Sequence, residues 1–201
     1  MNLEEYYTID HMSYSEYCDY LQTKYGVCTQ SYMTKNFKKN RKVARTDEGL
    51  YIHHKFEDQA ARLCEENVAK YYPYEWQLGE NLVYCDYLEH LFLHVLICEA
   101  KKDKELQGEK VSGGCGGILG FIVPELNDIY SGWKTKQNRI AKCHERILDD
   151  KEVYFRILQR FKTIYRDHPF YEIALLQSRN AMYGTWDIKN NDEIFKEIIL
   201  L

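Results

Sequence analysis

The chain has 201 residues, of which 45% are hydrophobic and 29% charged, and a net charge of −4. That is long enough for one well-buried core and falls in the ordinary globular range. Seven cysteines, odd in number and without a Cys-x-x-Cys pair, exclude a disulfide framework; with no N-terminal segment resembling a signal peptide, they are expected as reduced thiols in a cytoplasmic protein.

The apolar runs Leu91 to Cys98 and Ile118 to Val123 are too short to span a bilayer, so no membrane association is expected. Eighteen tyrosines are equally consistent with aromatic packing, with stacking on a polymer or with codon bias. Charge is unevenly spread. Tyr20 to Thr46 carries Lys24, Lys35, Lys38, Lys39, Arg41, Lys42 and Arg45 and no acid. Such asymmetry points to a polyanion partner or to a solvated basic loop.

In chain order, apolar residues at Tyr14, Tyr17, Cys18, Leu21 and Tyr25 predict a first helix. Ser13 is its N-cap, Glu16 completes a capping box, and Gly26 stops it. The basic stretch follows as a loop or short helix. Gly49 to Lys55 reads as a strand after the turn-like Asp47-Glu48-Gly49. Ala60, Leu63, Cys64, Val68 and Ala69 predict a helix over Phe56 to Lys70, ended by the Pro73 segment. Asn81 to Cys85 reads as a second short strand.

Asp86 and Glu89 form another capping-box pair, starting a helix from Tyr87 to about Lys101. Ser112 to Gly120 holds five of the eleven glycines. It fits neither dinucleotide nor Walker spacing, so it reads as a flexible turn or linker. Pro124 to Leu201 is expected to be mostly helical. Val153, Ile157, Phe161 and Ile164 form one stripe, Pro169 interrupts, and a helix over Asn190 to Leu200 closes the chain.

Four of the seven histidines fall in two clusters, His53-His54 and His90-x-x-x-His94. Residues four apart on a helix project from one face, so His90 and His94 supply half of a common metal site. His53 and His54 lie on a predicted strand, where neighbours point to opposite faces. Both reach one site only if the strand ends or bulges there.

The pattern His53-His54, then Asn81-Leu-Val, then His90-x-x-x-His94 resembles the HNH (ββα-metal) nuclease family, nearest its colicin-type DNase branch. The resemblance spans about Gly49 to Ile97. It departs in a longer interval between His54 and Asn81, and it lacks the cysteine pairs of zinc-stapled members.

The resemblance implies that His53, His90 and His94 ligate one divalent metal. It implies that His54 is the general base and that Asn81 hydrogen-bonds the backbone around the histidine strand to hold His54. Imidazoles suit zinc, nickel or manganese better than magnesium, and the metal is left open among the four. A metal relieves phosphate charge, and a neutral imidazole takes the proton from water. The expected activity is hydrolysis of DNA phosphodiester bonds, with RNA left open. Arg45 or Lys55, with Arg62 also near in sequence, is the expected cation at the phosphate. Lys35, Lys38, Lys39, Arg41, Lys42, Arg45 and Lys55 are the candidate nucleic-acid contacts. Lys134, Lys136, Arg139, Lys142 and Arg146 either extend that surface or form a solvated helix face.

The expected fold is α+β and mostly helical. A ββα-metal core at about 49–98, within a 49–101 unit, follows a helical and basic extension over 1–48. A glycine-containing linker over 102–123 leads to a helical region over 124–201 packed on the core as one compact unit. Two other readings are a catalytically inactive protein of this fold, whose structural metal supports binding of a protein or nucleic acid, and a helical protein with coincidental histidines. The sequence leaves homodimerisation and a protein partner open.

Overall fold

The computed structural model describes residues 1–106, 114–165 and 169–201. Helix α1 (Leu3–Ile9) precedes α2 (Tyr14–Tyr25). The α2 capping box forms as the sequence predicts: Glu16 N–H donates to the Ser13 side chain while the Glu16 carboxylate accepts from the Ser13 backbone. Such caps contribute about 0.5–2 kcal/mol.

The basic segment contains two 3-10 turns, Arg41–Val43 and Thr46–Glu48. The second ends at Gly49, whose φ of 75° is left-handed. A Cβ there would lie 2.9 Å from the Lys142 carbonyl oxygen, so glycine serves both the turn and a close approach.

Strand β1 (Tyr51–His54) therefore starts later than the sequence suggests, and at Lys55 the chain enters a 3-10 turn, Lys55–Asp58. The helix expected over Phe56 to Lys70 does not form as one piece. Arg62 takes φ 65°, which interrupts a right-handed helix, and only α3 (Glu66–Ala69) follows. Ala60, Leu63 and Ala69 are buried nonetheless. Their spacing reports burial by successive turns, not one helical face.

Two more 3-10 turns, Tyr74–Gln77 and Gly79–Asn81, lead into β2 (Leu82–Cys85). It pairs antiparallel with β1, placing His53 opposite Val83 and His54 opposite Leu82. Helix α4 (Tyr87–Leu106) starts at the predicted cap. Asp86 N–H donates to Glu89 Oε2 at 2.6 Å, and Glu89 N–H donates to Asp86 Oδ1 at 2.8 Å.

Leu91 to Cys98 is buried on every side, the behaviour of a helix at the centre of a fold. The sheet, α2 and the later helix Lys151–Ile164 surround it, and Tyr6 and Tyr17 meet Phe92 edge-on at 5.7 and 4.9 Å.

The described part of the glycine stretch is not an open linker. Residues 112–113 lie outside the described residues, but α5 (Gly114–Gly117) and a π-helix (Ile118–Ile122) pack along α4. A Cβ on Gly114 would sit 2.7 Å from Cys98 Sγ, and one on Gly117 would sit 2.5 Å from His94 Cε1. These two glycines let one helix backbone press against another at the histidine face.

The remainder is helical as expected: α6 (Val123–Tyr130), α7 (Asn138–Glu145), α8 (Lys151–Ile164), α9 (Pro169–Ala174), α10 (Arg179–Met182) and α11 (Asp192–Ile199). Buried Asp128 ties three of these segments together. It accepts from Asn180 N and Nδ2 at 2.7 and 2.8 Å and from Asn191 Nδ2 at 2.9 Å. The architecture is α+β and mostly helical, with one two-stranded antiparallel sheet among the described residues. No helix of these residues is long and apolar enough to cross a membrane.

Candidate metal centre

His90 and His94 occupy the first two turns of α4, and their Nε2 atoms approach to 3.3 Å. β1 delivers His53 to the same point; its ring centroid lies 5.3 Å from His90 and 5.2 Å from His94. The fourth member is Glu57, on the 3-10 turn that follows the strand. Its Oε2 lies 3.5 Å from both His53 Nδ1 and His94 Nε2. One ligand atom from each of His53, Glu57, His90 and His94 lies within 4.8 Å of all the others, so the four could hold a metal ion.

Zinc bonds of 2.0–2.1 Å in a tetrahedron place neighbouring ligand atoms roughly 3.3–3.4 Å apart; the His90–His94, His53–Glu57 and His94–Glu57 separations of 3.3, 3.5 and 3.5 Å match that spacing. Nδ1 of His53 and of His90 are buried without a hydrogen-bond partner. A buried unpaired polar atom costs about 1–3 kcal/mol, which coordination removes in the case of His53 Nδ1.

His54 takes the other face of β1. It is 1% exposed, covered edge-on by Tyr32 with ring centroids 4.6 Å apart. Its Nε2 lies 3.1 Å from Gln77 Oε1. Strand alternation is reconciled without a bulge, because the strand ends at His54 and the turn carries Glu57 back between the two rings. Glu57 Oε1 is 3.8 Å from His54 Nδ1 while Oε2 faces His53.

Burial dominates the electrostatics. It drives the His53 imidazole well below its ordinary range, with the neighbouring His94, His90 and His54 adding to the effect. Burial and then His94 do the same for His90. Burial lowers His54 to about 4, against the opposing hydrogen bond to Gln77. It raises the Glu57 carboxyl to about 8. At neutral pH the three imidazoles are neutral, the form that ligates metals and accepts protons. Glu57 keeps 12% side-chain exposure and His90 is partly exposed, which marks the side open to solvent.

Asn81 stands apart from the role its position suggests. Its Nδ2 donates to the Glu75 carbonyl at 2.8 Å, and Gln77 occupies the place beside His54. The two cations expected at the phosphate are both engaged elsewhere. Arg45 forks onto Glu48, donates to the Tyr25 carbonyl at 2.6 Å and lies over the Tyr84 ring. Lys55 pairs with Asp19 at 2.9 Å. Arg62 pairs with Glu65 at 2.6 Å.

Among the other basic candidates, Lys38 pairs with Glu66 at 2.7 Å. Lys35, Lys39, Arg41 and Lys42 are exposed. In the C-terminal set, Arg139 faces Asp47 at 3.4 Å, and Arg146 donates to the Glu48 carbonyl at 3.2 Å and to Tyr25 Oη at 3.1 Å. Both serve docking of α7 onto the Thr46–Glu48 turn.

Glu57 is the residue that sequence reasoning passes over. Its signal is the spacing His53-x-x-x-Glu57, which joins one site only once the strand is known to turn at Lys55. Comparison with protein-family models, with curated proteins and with solved structures returns no match.

Proposed function

We propose that the chain is a metal-dependent endonuclease of the HNH (ββα-metal) type that hydrolyses DNA phosphodiester bonds. One observation carries the reading: two adjacent histidines at the end of β1, one among the metal-ligating group and one outside it, both address the carboxylate of Glu57. That arrangement pairs a metal site with an imidazole base. The chain order of strand, strand and helix, with histidines at the first strand's end and in the helix's first two turns, adds support.

His53, His90, His94 and Glu57 would hold the metal, which supplies Lewis-acid relief of charge on the phosphate and the leaving oxygen. His54 takes a proton from the attacking water at Nδ1, and Gln77 holds the opposite edge of the ring. Tyr32 covers the ring edge-on, and Nδ1 faces Glu57 Oε1 at 3.8 Å. Exposed Lys35, Lys39, Arg41 and Lys42 supply backbone contacts without sequence choice.

A second reading has its own observation. Four converging protein ligands make a closed set, the hallmark of structural zinc. A non-catalytic protein with a stabilising metal, binding a protein or nucleic-acid partner, would look the same at this level. A nuclease assay on plasmid, single-stranded DNA and RNA with zinc, nickel, manganese or magnesium separates the two. The endonuclease reading predicts metal-dependent cutting by the wild type and loss of cutting in His54→Ala with metal still bound. The structural-metal reading predicts metal-dependent stability and no cutting in either protein.

A further inference from the structure

We infer that Tyr14 and Gln77, which lie outside the histidine motif, are positioning residues that fix His53 and His54 as the Nε2–H tautomers, so that both Nδ1 lone pairs face Glu57. A histidine ligand or base works only through its unprotonated nitrogen, and the partner of the other nitrogen decides which one that is.

Gln77 is fully buried. Its Nε2 donates to the Leu63 carbonyl at 3.2 Å. A carbonyl oxygen only accepts, so the amide cannot be flipped, and Oε1 is the atom turned toward His54 at 3.1 Å. Oε1 also only accepts, which requires a proton on His54 Nε2. Nδ1 of His54 is then the lone-pair nitrogen. It is buried without a hydrogen-bond partner, 3.8 Å from Glu57 Oε1.

Tyr14 acts on His53 by the same logic. Its hydroxyl lies 2.8 Å from His53 Nε2, 3.0 Å from the Lys55 carbonyl and 3.3 Å from the His54 carbonyl. The hydroxyl has one proton and the carbonyls only accept. Donation to the Lys55 carbonyl leaves the hydroxyl oxygen to accept from His53 Nε2–H. His53 Nδ1 is again a buried atom without a partner, 3.5 Å from Glu57 Oε2. Tyr14 is held for this task by its place directly after the Ser13 cap of α2. Gln77 is held by its backbone, whose carbonyl accepts from Tyr32 N–H at 2.8 Å.

The His54 tautomer follows from the fixed Gln77 amide and the His53 tautomer from donation of the Tyr14 hydroxyl to the Lys55 carbonyl; only the use of His54 as a base rests on the endonuclease reading. The test is therefore made without metal or substrate. Full-length protein with 15N-labelled histidine, in EDTA at pH 8, is examined by long-range 1H–15N NMR. The expected spectrum shows protonated Nε2 and unprotonated Nδ1 for both His53 and His54. Tyr14→Phe should turn His53 into a tautomer mixture and leave His54 unchanged. Gln77→Leu should do the reverse. Zinc affinity, a second readout, should fall about 10–100-fold in Tyr14→Phe and hold in Gln77→Leu. A wild-type spectrum with Nδ1–H on either ring overturns the inference, whatever the variants do. So does a variant that leaves its own histidine's tautomer intact. A protein that shows these tautomers yet cuts no nucleic acid would sink the endonuclease reading and leave this one standing.

Discussion

Glu57 Oε1 lies 3.8 Å from His54 Nδ1, and Oε2 of the same carboxylate lies 3.5 Å from His53 Nδ1. Two neighbouring residues on opposite faces of a strand are thus joined through a side chain from the turn that follows. The carboxylate makes one site out of two strand faces, and most consequences of the structure pass through it.

Glu57→Ala should weaken zinc binding by more than tenfold, because it removes one of four converging ligand atoms. Isothermal titration calorimetry on refolded apo-protein measures this. The wild-type protein should also gain thermal stability on zinc addition, as any ligand bound only by the native state requires. Unchanged affinity in Glu57→Ala would remove the carboxylate from the site.

The metal-free cluster should give a stability maximum near pH 6.5. His53, His54 and His90 have depressed folded values. Their contribution is present above the ordinary histidine value of 6.5 and is lost as pH falls, toward about 4 for His54. Glu57 is shifted the other way. Its contribution is full below the ordinary 4.5 and is lost as pH rises through about 8. Three histidines outweigh one carboxyl below pH 6.5, and within the cluster the carboxyl acts alone above it. Urea midpoints in EDTA at pH 5, 6.5 and 8 should peak at the middle value. Glu57→Gln should lessen the decline on the alkaline side only, leaving the part due to Glu89, whose carboxyl burial raises to about 7; an unaltered decline between pH 6.5 and 8 would reject the assignment.

Two neighbouring glycines should respond oppositely to alanine. At Gly117 the new Cβ meets the His94 ring at 2.5 Å, whereas at Gly116 nothing lies within 4 Å. Gly116→Ala should be neutral or stabilise by about 0.5–1 kcal/mol, as expected in a helix interior. Gly117→Ala should displace His94, destabilise the protein by about 1–3 kcal/mol as overpacking does, and lower metal affinity. Thermal denaturation and zinc titration of both variants provide the comparison; equal behaviour would mean that α5 does not press on the histidine.

Much of the site was legible because its signals are local. The His90–His94 spacing, the Asp86–Glu89 cap that starts their helix and the placement of His53 at a strand end are all short-range patterns. What was not legible depends on the chain returning from afar. Tyr14 and Gln77 meet the histidines across 39 and 23 residues, and no periodicity announces such contacts. The helix expected over Phe56 to Lys70 failed because burial of Ala60, Leu63 and Ala69 mimics helical spacing while Arg62 turns left-handed. The glycine stretch misled for the opposite reason. Glycine disfavours a helix locally, yet at Gly114 and Gly117 only its missing side chain lets α5 lie against α4. Asn81 sits at the sequence position of a base-holding residue, but the turn before β2 aims its amide at Glu75.

The most direct test of the central claim is plasmid cleavage by the wild type and by His54→Ala, each loaded with the same divalent metal and checked for equal metal content. The account predicts metal-dependent cutting by the wild type and a loss of at least a hundredfold in the variant, in line with removal of a general base. Cutting by His54→Ala at the wild-type rate, or no cutting by a fully metal-loaded wild type with any of the four metals, would contradict it.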